Sequence, residues 1–346
     1  MYILYRFFIL VSINKYDIVK IMEQRKIQIT GGNSYIVSLP RGWIKTTGLS
    51  KGDYLGVDTN EDGTLTIFPK SKEKIKRTFT INLTSSDSLN TRLLISKYLE
   101  GYDIIELVSK DRIPKDSRKN LIKTVQNLIG IEIFEETSNK FVLSSLIDFG
   151  SIKIDKILKR LIILTNSIFS ESLKALEESN WEFAQEIIPR EDEVDKFYFH
   201  GIRELSESLK MPQLQKDVGI KRSTDILSYI TVIKSIERIS DYLINILEIS
   251  IDLEKDIPKD IIDFAHACFD IFNDASENIF TRNLLKANDT LDRLKNEERK
   301  APNVMDLGDG TYSTDVVSAY SKITDYYVRI LKHCANLSEL TINLSV

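Results

Sequence analysis

Three long runs in which apolar residues return at helical spacing, 154–178, 181–209 and 224–251, constrain this chain more than any other feature. Runs of that length are helices. Pro212 and Pro258 punctuate them, and three helices with short joins pack as a bundle. A second set of similar runs follows at 261–282, 283–300 and 315–344. The C-terminal part therefore reads as an all-α body of two three-helix bundles, 149–252 and 253–346.

The third run carries a physical cost. Glu237, Asp241, Asn245 and Glu248 share an arc about 80° wide on a helical wheel, and Ile230, Ile233 and Ile244 lie within about 40° of Glu237. Two carboxylates at i and i+4 repel by a few tenths of a kcal/mol even on an open helix, and burying them unpaired costs far more. Something positive should sit there. The second run repeats the pattern with Glu191 and Asp195, and Val194, Tyr198, Ile202, Leu205 and Leu209 lie within about 60° of the same direction. Two such pairs on adjacent helices can bring four carboxylates together. An all-oxygen set selects a hard or borderline cation such as Fe, Mn, Mg, Ca or Zn, and facing helices of bundles are where such sites are built.

The net charge of −4 hides an asymmetry. Residues 1–22 carry +2, residues 23–77 carry +4 from ten bases against six acids, and the remainder carries −10. A basic head on an acidic body means that only the head is suited to a polyanion. Cys268 and Cys334 lie far apart without a CxxC pairing, which excludes a disulfide framework or thiolate metal site and fits a reducing cytoplasm. Residues 1–22 contain the apolar run Phe7-Phe8-Ile9-Leu10-Val11 behind Arg6, but no small-residue cleavage site follows and the run is too short to span a bilayer. Met22 precedes a natural domain start. The extension reads as a misassigned start or a loosely attached segment, without membrane insertion.

The head, 23–77, has two short strands around Gly31-Gly32-Asn33, a stop at Pro40, a short helix over 41–47 ended by Gly48, and two further strands at 54–59 and 64–69. So few residues cannot build a stable core alone, and pairing with a second chain is expected. Ile36-Val37-Ser38-Leu39-Pro40, then Gly42-Trp43-Ile44-Lys45 and Gly48-Leu49-Ser50-Lys51-Gly52-Asp53, resemble the SpoVT/AbrB swapped-hairpin domain. That resemblance implies an intertwined homodimer and DNA binding through Arg25, Lys26, Arg41 and Lys45, with Lys70, Lys72, Lys74, Lys76 and Arg77 as a basic tether. Trp43 reads as a core or dimer-interface residue rather than a platform for stacked bases.

Between head and body, 78–148 reads as a small α/β connector of order βαβαββ, with strands at 79–83, 103–108, 131–134 and 141–146 and helices at 86–100 and 114–128. It has no glycine-rich phosphate loop, His cluster or nucleophile–base arrangement, so a packing or spacer role is expected.

In the body, Glu237, Arg238, Ile239, Asp241, Asn245, Ile246 and Glu248 match the form Glu-Arg-Ile-x-Asp-x-x-x-Asn-Ile-x-Glu and resemble the phosphate-uptake regulator family, PhoU. Glu191 and Asp195 match that family's partner motif on the preceding helix. The resemblance implies that Glu191, Asp195, Glu237 and Asp241 ligate a metal, iron or zinc, with Asn245 and Glu248 supporting them. In the second repeat Val328 and Lys332 replace the ligand Glu and Asp, while Asn288 and Asp292 stand on the helix before. Metal is therefore expected in the first repeat only, and Lys332 is expected to lie close to Asp292 as an internal cation. His200 reads as a surface residue, and His266 and His333 as non-ligands.

The chain as a whole resembles a fusion of a SpoVT/AbrB head with a two-repeat PhoU body. The function implied is regulation of phosphate uptake by a cytoplasmic DNA-binding regulator. The alternative is an adaptor that does not bind DNA and contacts a phosphate transporter or sensor kinase. No nucleophile, base or Arg/Lys phosphate clamp stands beside the carboxylates, so an enzyme is not expected.

Overall fold

The computed structural model describes residues 23–59, 63–69, 76–211, 215–304 and 312–345. The N-terminal extension, the tether residues Lys70, Lys72 and Lys74, and Pro212 fall outside them. The chain divides into two compact units, Met1–Glu73 and Lys74–Val346.

The first unit holds two antiparallel hairpins, β1 (Gln28–Thr30) with β2 (Ser34–Ile36) and β3 (Leu55–Thr59) with β4 (Leu65–Pro69), around helix α1 (Arg41–Thr47). Gly31 and Gly32 take φ of 58° and 93° in the first turn, a region open to glycine at little cost. Gly48 closes α1 in the left-handed region, its N–H bonded to Lys45 O. Helix α1 buries none of its residues, and Ile27, Ile29, Tyr35, Val37, Tyr54 and Val57 are exposed. One copy of these hairpins does not enclose a core.

The second unit begins with the α/β module: β5 (Thr78–Asn82), α2 (Asp87–Leu99), β6 (Ile104–Val108), α3 (Lys115–Gln126), β7 (Ile131–Glu136) and β8 (Lys140–Ser145). This is the expected βαβαββ order. The strands lie as β5-β6-β8-β7, with β5 and β6 parallel and the other pairs antiparallel. Ile81, Ile105, Leu107, Phe141 and Leu143 alternate along the strands onto one face and pack with Leu94, Tyr98 and Leu121 from the two helices. Ser86 caps α2 by accepting from Leu89 N.

The helical body contains α4 (Ile154–Glu177), α5 (Trp181–Ile187), α6 (Glu191–Lys210), α7 (Asp225–Leu253), α8 (Lys259–Thr281), α9 (Leu284–Glu298) and α10 (Thr314–Ser345). The expected single helix over 181–209 is broken. Pro189 cannot donate a backbone hydrogen bond, and Ile188–Arg190 tighten into one 3₁₀ turn between α5 and α6. That break makes Glu191 the first residue of α6. The first turn of α6 is acidic, with Glu191, Asp192 and Glu193 at the positive end of the helix dipole.

The two helix sets do not enclose separate cores. One apolar cluster runs from Ile157, Leu161 and Phe169 of α4 through Ile236 and Leu243 of α7 to Phe272 of α8 and Ile330 and Leu337 of α10. Helix α7 packs on α4, α6 and α10, and α8 packs on α4, α9 and α10. Asn336 Nδ2 donates to Ser235 Oγ at 2.9 Å across the α7–α10 seam, and Asn166 bonds Asn273 across the α4–α8 seam. Buried hydroxyls are satisfied locally, as where Ser172 donates to Ile168 O and Ser250 to Ile246 O. At Gly201 a Cβ would stand 2.9 Å from Ile233 Cδ1 and 3.2 Å from Ile157 Cγ2, so the missing side chain admits α6 close to α7 and α4.

Helix α6 also joins the body to the α/β module. Arg203 is buried, donates to Tyr98 O at 2.6 Å and Tyr102 O at 3.0 Å, and lies over the Tyr98 ring. Arg77 pairs with the buried Glu207 at 2.5 Å and donates to Gly101 O, while Gly150 N donates to Glu204.

Candidate metal centre

The close approach of α6 to α7 brings Glu191 and Asp195 of the first against Glu237 and Asp241 of the second. Glu191 and Asp241 share a side-chain hydrogen bond, which requires one of the two carboxyls to be protonated. All four carboxyls are pushed above their ordinary range. Desolvation is the largest cause in each case, and the negative charge of neighbouring members adds to it for Glu191, Asp195 and Glu237. Asp195 is raised to about 7, by burial first and then by Asp241 and Asp192. The four residues proposed from sequence thus occupy one place.

The positive partner that the wheel demanded is in part Arg238, next to Glu237 in the sequence. Its Nη1 lies 2.8 Å from Asp241 Oδ2 and its Nε 3.4 Å from Glu237 Oε2. One guanidinium faces four carboxyls. Glu237 Oε2 remains buried and without a hydrogen bond. The donor set and its uncompensated charge therefore fit a hard cation. Among the described residues, no three His, Cys, Asp or Glu side chains are already arranged to hold a metal ion. The cluster is a gathering of oxygen donors partly occupied by Arg238 and by a shared proton, rather than a preformed cage.

The supporting residues behave differently from each other. Asn245 Nδ2 donates to Asp241 O at 2.6 Å, which places it one turn beyond the cluster on the same helix. Glu248 is exposed. In the second repeat the expected Lys332–Asp292 pair does not form. Lys332 Nζ lies 3.3 Å from Glu298 Oε1 at the end of α9, and Asp292 takes Lys295 at 3.8 Å and Asn288 at 3.4 Å. Asp292 and Glu298 are six residues apart, which turns them to different sides of α9. Val328 packs against the shared core where Glu237 stands in the first repeat.

The histidines also correct the sequence reading. His200 is buried rather than at the surface, and burial and Arg203 push its imidazole down to about 4. Neither of its ring nitrogens has a hydrogen bond. His266 meets Glu177 at 2.6 Å on the outside of α8. His333 packs against Tyr242, 5.8 Å between ring centres.

In the head, Arg25, Lys26, Arg41 and Lys45 are all exposed, and Arg25 is paired with Glu23. Trp43 is half-buried.

Comparison with known proteins places two families on this geometry. Residues 158–250 match the PhoU domain, and they contain all four clustered carboxylates. Residues 28–75 match the family described as antidote-toxin recognition MazE, bacterial antitoxin. No curated protein matches. Among solved structures, the phosphate transport system regulatory protein PhoU from Streptococcus pneumoniae is similar at 16% identity and a TM-score of 0.48, covering 56% of this chain and 93% of that one. PhoU from Pseudomonas aeruginosa is similar at 16% identity and a TM-score of 0.46, covering 55% of this chain and 94% of that one. The polypeptide thus carries a segment similar to the PhoU domain in its helical body and a segment similar to the MazE antitoxin family near its N-terminus.

Proposed function

We propose that this protein is a regulator of phosphate uptake that contacts DNA through the head and holds a metal cation, iron or zinc, on Glu191, Asp195, Glu237 and Asp241. The observation that carries the reading is the convergence of these four carboxyls from α6 and α7 inside the segment matching the PhoU domain. A bound cation would supply the charge that Arg238 alone does not, and would displace the proton shared by Glu191 and Asp241. The protein's own part is to set α6 against α7 through Gly201 and to keep the oxygens out of bulk water. The second repeat, with Val328 and Lys332 in the corresponding places, takes no metal.

For the head, the exposed bases at Arg25, Lys26, Arg41 and Lys45 supply phosphate contacts, and a second copy of the chain supplies the missing core. Such contacts make affinity fall steeply with salt. A second reading, in which the head binds protein rather than DNA, is favoured by the antitoxin description of the matching family and by the Arg25–Glu23 pair. Selecting fragments of the organism's own genome on the full-length protein, then measuring affinity against salt, decides between them. The expected result is an enriched set of fragments whose binding weakens with salt and is lost when Arg25, Lys26, Arg41 and Lys45 are all changed to Glu. No enrichment, or enrichment indifferent to that change, would leave the adaptor reading.

A further inference from the structure

A cavity of about 360 Å³ lies over the α7–α10 seam, beside the carboxylate cluster. Its lining is chemically one-sided. Lys234 and Arg238 enter it from successive turns of α7, His333 and Asn336 from successive turns of α10, and among the described residues no carboxylate lines it. Lys234 is half-buried and has no ion pair among the described residues. Arg238 is held from behind by Asp241 and Glu237, so its fork is fixed in direction. His333 Nδ1 is buried without a hydrogen bond. Tyr242 stacks on Tyr326, 5.4 Å between ring centres, and meets the His333 ring at a tilt of 39°, which sets the imidazole against the cavity wall. Asn336 is oriented by its bond to the buried Ser235.

We infer that this cavity binds a small phosphate-bearing anion, either inorganic phosphate or the phosphate group of a small monoester. Two cations of different geometry, a side-chain amide and an imidazole converge from two helices, an arrangement that suits a tetrahedral oxyanion with acceptors on several sides. The volume lies at the small end of the range for ligand pockets, about 300–1,000 Å³. The Tyr242 ring gives an organic remainder an apolar wall. The local potential agrees: the His333 imidazole is pushed down to about 4 by burial first and then by Arg238 and Lys234. The inference is independent of the metal reading, because Lys234, His333 and Asn336 belong to neither carboxylate pair. Arg238 reaches both the carboxylates and the cavity.

Isothermal titration of the full-length protein with inorganic phosphate and with ribose 5-phosphate, in the presence of chelator, tests the site without a metal. Saturable binding of one or both is expected, weakened at least tenfold by Lys234→Met and by His333→Phe. Lys332→Met, at an exposed lysine of the same helix α10, is expected to bind as the wild type does. Phosphate binding as tightly as the ester identifies the free anion as ligand, and tighter binding of the ester identifies the monoester. Absence of binding by both compounds, or undiminished binding by the Lys234→Met protein, overturns the inference. Thermal midpoints of the variants show that each is folded.

Discussion

At Asp195 the environment inverts the usual behaviour of an aspartate. Its carboxyl is raised from an ordinary 3.8 to about 7, because burial and the charges of Asp241 and Asp192 disfavour ionisation more than Arg238 favours it. A group whose folded value is raised keeps a proton that the unfolded chain has already released. Between pH 4 and 7 the native state therefore binds more protons than the unfolded state, and stability is lost as pH rises through that window. In chelator, the thermal midpoint is expected to fall from pH 5 to pH 8. Asp195→Asn should raise the midpoint at pH 8 and reduce the fall, the remainder coming from Glu191 and Glu237, and zinc should raise the midpoint of the wild type but not of the variant. Calorimetry at pH 5, 6, 7 and 8 reads this directly. A wild-type midpoint that climbs with pH would mean that the carboxyls are already compensated. Glu191, Glu237 and Asp241 act in the same direction, so Asp195 is a reporter for the whole cluster.

Helix α6 is the element that joins the carboxylate cluster, the first helix set and the α/β module. Its first turns carry Glu191 and Asp195, its middle approaches α7 through Gly201, and its last turns dock the α/β module through Arg203, Glu204 and Glu207. The sequence made it half of a longer helix. Pro189 set the actual boundary, a local signal that the strong apolar periodicity of 181–209 obscured. Arg203 shows what that periodicity leaves out. It lies on a helix, yet its two carbonyl partners, Tyr98 O and Tyr102 O, are about a hundred residues earlier. Arg203→Met should take the side-chain donor from both carbonyls, leaving Tyr98 O with only the Gly101 N–H, and cost roughly 2–4 kcal/mol. Urea unfolding checks this, and the loss should fall on the module as well as the bundle. A change below about 0.5 kcal/mol, the scale of a surface substitution, would show that the docking contact is dispensable.

For the whole molecule the contrast is between a second unit whose module and helical body each enclose a core and a head without one. A single copy of the hairpins leaves Tyr54 at 80% and Tyr35 at 73% exposure, with Ile29 and Val57 also open to solvent. Apolar side chains in such numbers on so small a unit call for a partner of the same kind. The full-length protein is expected to run as a dimer in light scattering at micromolar concentration. Ile29→Glu together with Val57→Glu should produce a folded monomer, whose helical circular dichroism is retained because the body keeps its own core. A wild-type monomer, or a variant that remains dimeric, would place the interface elsewhere. Among the described residues no helix is long and apolar enough to cross a membrane, which agrees with the reading of the helical runs as bundle helices.

Apart from the break at Pro189, the elements were legible along the chain, because apolar periodicity, glycine turns and caps act within a few residues of each other. It also determined that two ExxxD pairs sit on faces bordering the core, since helical spacing alone turns i and i+4 to one side. Tertiary structure decided which charges meet. Arg238 is the cation that reaches Glu237 and Asp241, and Lys332 finds Glu298 rather than Asp292. The burial of His200 and the joining of Lys234 to His333 in one cavity are likewise invisible along the chain. Pairing of this kind depends on how closely two helices approach and at what rotation. Those quantities are set by a shared core and by the absent side chain at Gly201, not by the spacing of residues within either helix.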